Sequence, residues 1–409
     1  MVSTHGYVDP VPQLGRTDTG GQVVYVLELA KALSQCGVQV DVYTRWFESE
    51  KKPVEPVPDA QAVRLVRIRG GPWKFVPKEE IYELLPELVE NLICFVRGNG
   101  LQYDLLHGHY VDGGIVAAAA AQALGRPAFF TPHSLGAWKR EEMGGDSEEM
   151  ERRYHFRQRI DEEVRLFQTV SGITVTTELQ MEKLTSLYGV TPDPISLIPP
   201  GVDLKRFRPL EPGEGRTPLP VPEPYIFCLS RIDTNKGHDL LLYAFALVAE
   251  QVPQVHLVIG GGSQDPLPRE RDVLAAVRTT AEANGLQNRV HLIGYVPDHL
   301  LVPFYRQATL FAIPSVYEPF GMTGLEAMAC GTPVVASRFG GIREVITSDR
   351  NGVLVDPASP QEFAEGMVGL LRDPRLAERM GQEGRKAIQE SYSWQVMAER
   401  HLAFYQNVL

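Results

Sequence analysis

The segment YEPFGMTGLEAMACGTPVVA, residues 317–336, decides how the chain is read. Two carboxylates, Glu318 and Glu326, flank a Pro-Phe-Gly turn and the first turns of an apolar stretch that predicts a helix. This spacing puts Gly321, Met322 and Thr323 at a helix start, where backbone N–H groups have no partner inside the helix. Such an end carries partial positive charge and readily holds a phosphate or diphosphate. A carboxylate on each side suits the hydroxyl groups of the same ligand.

Around this segment, short β-branched runs alternate with amphipathic stretches, the pattern of βα units built on parallel sheets. Strands are predicted near 38–44, 63–68, 105–109, 128–131, 173–176 and 195–198. A second set falls near 225–230, 255–259, 290–293, 310–313, 333–336 and 352–355. Residues 23–34 predict a helix with Gly37 as its stop. RPLEPGEGRTPLPVPEP, residues 208–224, sustains neither regular element and reads as a linker. The expected organisation is an α/β fold of two Rossmann-like, doubly wound domains. The first spans 1–208, the linker 209–224 and the second 225–392, with a last helix over 393–409 packing back toward the first domain. Doubly wound sheets bind ligands beyond the carboxyl ends of their strands, so a cleft between the two domains is expected.

At 409 residues the chain exceeds the usual size of one core. Its 44% hydrophobic and 22% charged content is ordinary for a globular protein. A formal charge of −11 argues against nucleic acid or an anionic membrane as partner. Cys36, Cys94, Cys228 and Cys330 are scattered, form no CxxC pair and lie in apolar settings, so buried reduced thiols and a cytoplasmic setting are expected. The longest apolar run, 115–124, is too short to span a bilayer, and the N-terminus lacks the order of a signal peptide. Val2, Ser3 and Thr4 read as a strand end, which suggests a start trimmed by some residues.

Several other features carry charge or glycine where chemistry needs them. Gly20-Gly21-Gln22 opens the first long helix, where glycine lets backbone approach a ligand; a plain turn is the bland alternative. It is not a GxGxxG fingerprint, and a nicotinamide dehydrogenase is poorly supported. Arg231 and Lys236 in SRIDTNKG follow an apolar strand, placed to neutralise a diphosphate or simply to be solvated. Gly260-Gly261-Gly262 follows the next strand and clears space at the same edge. Lys78, Lys139, Arg140, Arg152, Arg153, Arg157 and Arg159 form a basic group in an acidic chain. In one continuous helix after Ser147, Arg152, His155, Phe156 and Arg159 would share a face, either as a salt-bridged surface or as a pocket for a phosphorylated ligand. His107, His109 and His133 sit at strand ends without thiol or carboxylate company at ligand spacing, so hydrogen bonding is favoured over metal binding. No DxD metal clamp and no GxSxG nucleophile occurs.

Together these residues resemble the retaining glycosyltransferases of the GT-B fold, in the large family (GT4) that includes sucrose synthase and sucrose-phosphate synthase. The resemblance covers almost the whole chain. Its most specific part is the E-x7-E motif from Glu318 to Glu326, with Arg231 and Lys236 upstream. GGQVVYVLELAKAL (20–33), FVPKEEIY (75–82), HGHYVDGG (107–114), HSLGAWK (133–139) and IPPGVD (198–203) look most like sucrose-phosphate synthases, then mannosylfructose-phosphate synthases.

The resemblance implies hexosyl transfer from a nucleotide sugar, with retained configuration. Arg231 and Lys236 would meet the donor diphosphate, Glu326 the ribose and Glu318 the transferred sugar. Gly21, Gly321, Met322 and Thr323 would add backbone contacts to the donor, and His133 would hydrogen-bond the sugar. Gly20 and Gln22 would line the acceptor side, while Lys78, Tyr110, Lys139 and Arg159, with Arg157 as the other register, would hold a sugar phosphate. UDP-glucose and fructose 6-phosphate are the implied substrates. GDP-mannose as donor and free fructose as acceptor are the rivals. No cofactor is implied as required, a divalent ion being at most stimulatory. A separate sucrose-phosphate phosphatase is the implied partner, since the chain shows no added phosphatase-like domain. A protein of the same frame that binds nucleotide sugars without turnover is the alternative from another class.

Overall fold

The computed structural model describes residues 1–13, 16, 19–144 and 147–409, and the chain divides into two units. Unit 1 comprises Met1–Pro200 with Trp394–Leu409, and unit 2 comprises Gly201–Ser393.

Unit 1 runs α1 (Gly21–Gln35), β1 (Val40–Trp46), β2 (Val54–Val57), β3 (Ala60–Arg69), α2 (Leu85–Gly98), β4 (Leu106–His109), α3 (Tyr110–Leu124) and β5 (Ala128–Thr131). It continues with α4 (Gly136–Glu142), α5 (Glu148–Tyr154), α6 (Phe156–Thr169), β6 (Gly172–Val175), α7 (Glu178–Tyr188) and β7 (Ile195–Leu197). The strand orders are β2-β3-β1 and β4-β5-β6-β7, parallel except for β2. Residues 1–3 join the two groups: Val2 bridges both Tyr43 of β1 and Gly108 of β4. Its N–H donates to the His107 carbonyl at 2.8 Å, and the His109 N–H donates to the Val2 carbonyl at 2.9 Å. The opening residues are therefore the middle of the sheet. The chain order reverses there, which makes the loops after Ser3 and His109 the expected ligand edge.

Unit 2 runs β8 (Tyr225–Ser230), α8 (His238–Gln251), β9 (His256–Gly261), α9 (Pro268–Ala283), β10 (Val290–Gly294) and α10 (Asp298–Gln307). β11 (Leu310–Ile313), α11 (Met322–Ala329), β12 (Val334–Ser337), β13 (Val353–Val355), α12 (Pro360–Arg372) and α13 (Pro374–Ser391) complete it. Its sheet, β10-β9-β8-β11-β12-β13, is parallel throughout. Both faces are covered, so its strands read as near-continuous apolar runs. Phe227, Phe245, Phe304, Phe311 and Phe363 are among the largest fully buried side chains. The order reverses between β8 and β11. The last helix, α14 (Trp394–Val408), belongs to unit 1 and sets Trp394 edge-on to Tyr25 and Tyr405 against Phe129.

Four expectations are corrected. The division falls at Pro200/Gly201, not in the linker expected over 209–224. Residues 208–224 have no helix or strand, as expected, and α10 uses their carbonyls: Arg306 donates to Arg208 O at 2.6 Å and Gln307 to Thr217 O at 2.9 Å. The helix expected after Ser147 is broken at His155, which adopts a left-handed conformation (φ 47°) between α5 and α6. Arg152 is then exposed while Arg159 is buried, so the shared basic face does not form. Cys94 is exposed, not buried, because α2 buries the stripe Leu85, Leu88, Leu92 and Val96 and turns position 94 away.

The Gly260–Gly262 run serves the backbone first. Gly261 has φ 118°, and a Cβ there would lie 1.8 Å from the Ser230 carbonyl oxygen. Gly261→Ala is expected to lower stability by at least about 2 kcal/mol, read as a fall in the urea midpoint. Gly285→Ala, at φ 68° with nothing within 4 Å of the added carbon, should cost clearly less. Equal midpoints would contradict the close approach.

Candidate active site

In unit 2 the loops leaving β8 and β11 are tied together. Asn235 accepts from the Val316 N–H at 3.0 Å through its carbonyl and donates its amide to Tyr317 O at 3.2 Å. Gly237, at φ 67°, would place a Cβ 2.2 Å from the Pro314 carbonyl, so only glycine lets the loops approach this closely. Across this junction the Lys236 ammonium donates to Glu318 Oε2 at 2.6 Å. The side chains are only 8% and 18% exposed, which shields the pair more than a surface ion pair. Among the described residues, one of the three N–H groups of Lys236 is committed here, and Glu318 Oε1 takes no hydrogen bond. Glu318 is held from the other side by its carbonyl, which accepts the Gly341 N–H at 2.9 Å.

Arg231, on the same loop as Lys236, is exposed, and its guanidinium has no partner among the described residues. Ser230 Oγ donates to Arg231 O at 2.9 Å and meets His238 Nε2 at 3.0 Å, which steadies the backbone under that side chain. Gly321 caps α11 at φ 99°, and Met322 and Thr323 are its first residues, as the sequence predicts. Cations, a carboxylate with an open oxygen and a helix N-terminus thus gather at the carboxyl edge of β8 and β11.

Glu326 lies further along α11 and pairs differently. Its Oε2 accepts from the buried Tyr305 hydroxyl at 2.6 Å. Burial pushes its carboxyl up from an ordinary 4.5 to about 7, against the opposing pull of Tyr305 and Arg206.

In unit 1, His133 follows β5 in a left-handed conformation (φ 56°), with Nε2 3.0 Å from His109 Nδ1. Burial, then the nearby His5 and His401, pushes His133 down to about 3, so it is neutral at physiological pH. Tyr110, also left-handed at φ 62°, lies 4.7 Å under the Arg159 guanidinium. Arg159 is buried and further held by Glu163 Oε1 at 2.9 Å and Ser134 O at 2.7 Å. Lys139 is buried with its ammonium 4.1 Å from the Tyr154 ring centre, and Lys78 pairs with Glu79 at 3.3 Å. Arg157 is exposed, two residues from Arg159 and hence on another face of α6. Gly20 caps α1, Gly21 begins it, and Gln22 donates to Ser3 Oγ at 3.3 Å.

The sequence reading missed His5 and Asp112. His5 Nδ1 lies 2.9 Å and 3.0 Å from the two Asp112 oxygens, and Thr4 Oγ1 donates to Oδ2 at 2.5 Å. Burial pushes the Asp112 carboxyl up, but His5, Thr4 and a backbone N–H outweigh it, and the net shift is downward. An ionised Asp112 only accepts, so His5 Nδ1–H is the donor of this pair and Nε2 is the ring's other nitrogen. That nitrogen has no protein partner among the described residues and is not sealed from solvent. It is placed to hydrogen-bond a hydroxyl. The partners are 107 residues apart, and only the aspartate's place in the first turn after a strand hints at the pairing.

Among the described residues no three His, Cys, Asp or Glu gather to hold a metal ion, and no helix is long and apolar enough to cross a membrane.

A carboxyl raised in the folded state stabilises the fold fully below its unfolded value and loses that contribution as pH climbs to the folded value. For Glu326 the window is 4.5 to about 7. Glu326→Gln should therefore flatten the fall in Tm between about pH 4.5 and about pH 7. Parallel Tm profiles for variant and parent would contradict the raised carboxyl.

Residues 19–206 match the model described as Glycosyltransferase Family 4, and residues 214–387 match Glycosyl transferases group 1. The chain is 37% identical to mannosylfructose-phosphate synthase of Agrobacterium fabrum, covering 98% of this chain and 90% of that protein. It is 33% identical to D-inositol 3-phosphate glycosyltransferase of Corynebacterium jeikeium, covering 100% and 96%. Among solved structures, sucrose-phosphate synthase from Thermosynechococcus elongatus superposes with a TM-score of 0.85 at 29% identity, covering 100% and 98%. HepE of Anabaena, solved with UDP and glucose, shares the fold at a TM-score of 0.73 and 19% identity. With two Rossmann-like units, these matches and the junction of Lys236 with Glu318, the chain belongs to the GT-B glycosyltransferases of group 1, family 4.

Proposed function

We propose that the protein transfers a hexosyl group, with retained configuration, from a nucleoside diphosphate sugar to a fructose phosphate. The carrying observation is the Lys236–Glu318 pair beside the unpartnered Arg231 at the start of α11. Charge builds on the departing diphosphate, and preset cations and amide dipoles lower that barrier. Arg231, the free N–H groups of Lys236 and the amides of Met322 and Thr323 meet the phosphates, with Gly21 as a further backbone contact. Glu318 Oε1 accepts from the hexose hydroxyls, Glu326 from the ribose. His133 hydrogen-bonds the hexose. The anomeric carbon–phosphate oxygen bond breaks as the bond to the acceptor oxygen forms on the same face. The hydroxyl proton passes to the departing phosphate oxygen.

For the acceptor, Gly20 and Gln22 line the site and His5 Nε2 takes a hydroxyl. Lys78, Tyr110, Lys139 and Arg159 hold the phosphate, and Arg157, on another face of α6 from Arg159, is left out of this set. Support for a phosphorylated acceptor also comes from the relatives, whose names all carry a phosphorylated sugar or inositol. Our first reading is sucrose-phosphate synthase, with UDP-glucose and fructose 6-phosphate. The second is mannosylfructose-phosphate synthase, with GDP-mannose, favoured by the 37% identity. We place the enzyme in the cytoplasm beside a separate phosphatase that removes the product's phosphate.

A matrix of UDP-glucose, ADP-glucose and GDP-mannose against fructose, fructose 6-phosphate and inositol 3-phosphate tests this. Nucleotide release is expected with fructose 6-phosphate and one donor. Turnover with free fructose alone would contradict the phosphate site, and binding without nucleotide release would make the protein a non-catalytic relative. Lys139→Ala should raise the acceptor KM about 10-fold or more, the loss of a hydrogen bond to a charged group, and leave the donor KM nearly unchanged. Equal effects on both constants would place the phosphate elsewhere.

A further inference from the structure

His109 ends β4 and His133 follows the neighbouring strand β5, and they share one hydrogen bond, His109 Nδ1 to His133 Nε2 at 3.0 Å. His109 is wholly buried, and its other nitrogen, Nε2, is sealed from solvent with no hydrogen-bond partner among the described residues. Its ring stacks on His107 at 4.5 Å. Both nitrogens of His107 are occupied, Nδ1 by the Tyr405 hydroxyl at 2.5 Å and Nε2 by Thr131 Oγ1 at 2.7 Å. Tyr25 stands edge-on to His133 at 4.7 Å. His401, on α14, meets the Met397 carbonyl through Nδ1 at 2.9 Å, so its proton is there and its own Nε2 carries a lone pair. The pair is thus set among strand-end and aromatic neighbours.

Charge is disfavoured throughout this interior. Burial and the surrounding imidazoles hold His107 and His109 well below the usual range, and His133 is pushed down to about 3. Each ring therefore carries a single N–H, and one proton lies between His109 and His133. If His133 gave it, His109 would keep a sealed N–H with nothing to receive it. If His109 gives it, only a lone pair on Nε2 goes without a partner. A buried orphan donor is the rarer of the two in folded proteins.

We propose that His109 is a positioning residue that donates Nδ1–H to His133 Nε2 and fixes His133 as the tautomer protonated on Nδ1. His133 then presents a donor, never an acceptor, to an oxygen of the transferred sugar. This inference rests on the reading of His133 as a sugar contact. It adds that the strand-end His-Gly-His segment sets the polarity of that contact.

Two-bond proton–nitrogen NMR spectra of the full chain labelled with nitrogen-15 histidine read the tautomer directly. His133 is expected to show a pyrrole-type Nδ1 and a pyridine-type Nε2, and the reverse assignment overturns the proposal. Kinetics give a second reading. His109→Leu removes the donor and should lower kcat about 10- to 100-fold, the weight of one hydrogen bond to a developing charge. His109→Asn restores an N–H near the Nδ1 position and should recover most of that loss. His109→Asp supplies only an acceptor, should move the His133 proton to Nε2, and should not recover activity. Equal losses in all three, with the His133 signals unchanged, would make His109 a space filler and end the proposal. Should a variant fail to fold, the parent spectrum still decides the tautomer. His133→Ala separates the two claims: unchanged transfer there sinks the sugar contact itself, whatever tautomer the spectrum shows.

Discussion

Two loops leave adjacent strands of unit 2 where the chain order reverses, and the candidate donor site depends on their being locked together. Asn235 binds the β11 loop through backbone and side chain, and Gly237 clears the approach to Pro314. Lys236 closes on Glu318 at 2.6 Å. Parallel strands bring these loops to one edge, but the glycine and the ion pair determine which atoms remain open there. A larger residue at position 237 would separate the loops before any ligand arrived. With the pair formed, Glu318 is oriented with one oxygen engaged and one open. Arg231 is left exposed over a backbone steadied by Ser230 and His238.

Unit 1 reaches a comparable result with a polar interior. His5 with Asp112, His107 with Tyr405 and Thr131, and Arg159 with Glu163 are all buried and hydrogen-bonded. Such groups cost stability unless each is satisfied, and here most are. The reward is direction. Asp112 fixes which nitrogen of His5 is engaged inside the protein and which is left over. Left-handed backbone at Tyr110 and His133 turns these two side chains at the ends of β4 and β5. Backbone held in that region by non-glycine residues costs free energy and persists where surrounding contacts impose it.

Much of the frame could be read from the sequence because it rests on local pattern. β-branched runs located twelve of the strands to within three residues, and most to within the usual scatter of element ends. Glu318, Lys236 and the start of α11 were legible because spacing and helix-end chemistry are local. What the sequence hid was long-range or conformational. Nothing in Val2-Ser3-Thr4 says that it is the middle strand, since its partners Tyr43 and Gly108 lie far along the chain. The His5–Asp112 pair spans 107 residues. The helix break at His155 depends on a left-handed residue that no glycine marks, and it separates Arg152 from Arg159. Gly261 looked like space for a ligand and is instead space for the Ser230 carbonyl. The Pro-rich stretch from Arg208 read as the domain boundary because composition records missing regular structure but not the α10 side chains that bind its carbonyls.

A donor diphosphate is expected to lodge where Lys236, Arg231 and the start of α11 meet. A crystal structure of the full chain with UDP tests it most directly. Phosphate oxygens are expected against the Arg231 guanidinium, the Lys236 ammonium and the Met322 or Thr323 amide, with the ribose at Glu326. A nucleotide ordered elsewhere, with these groups untouched, would contradict it.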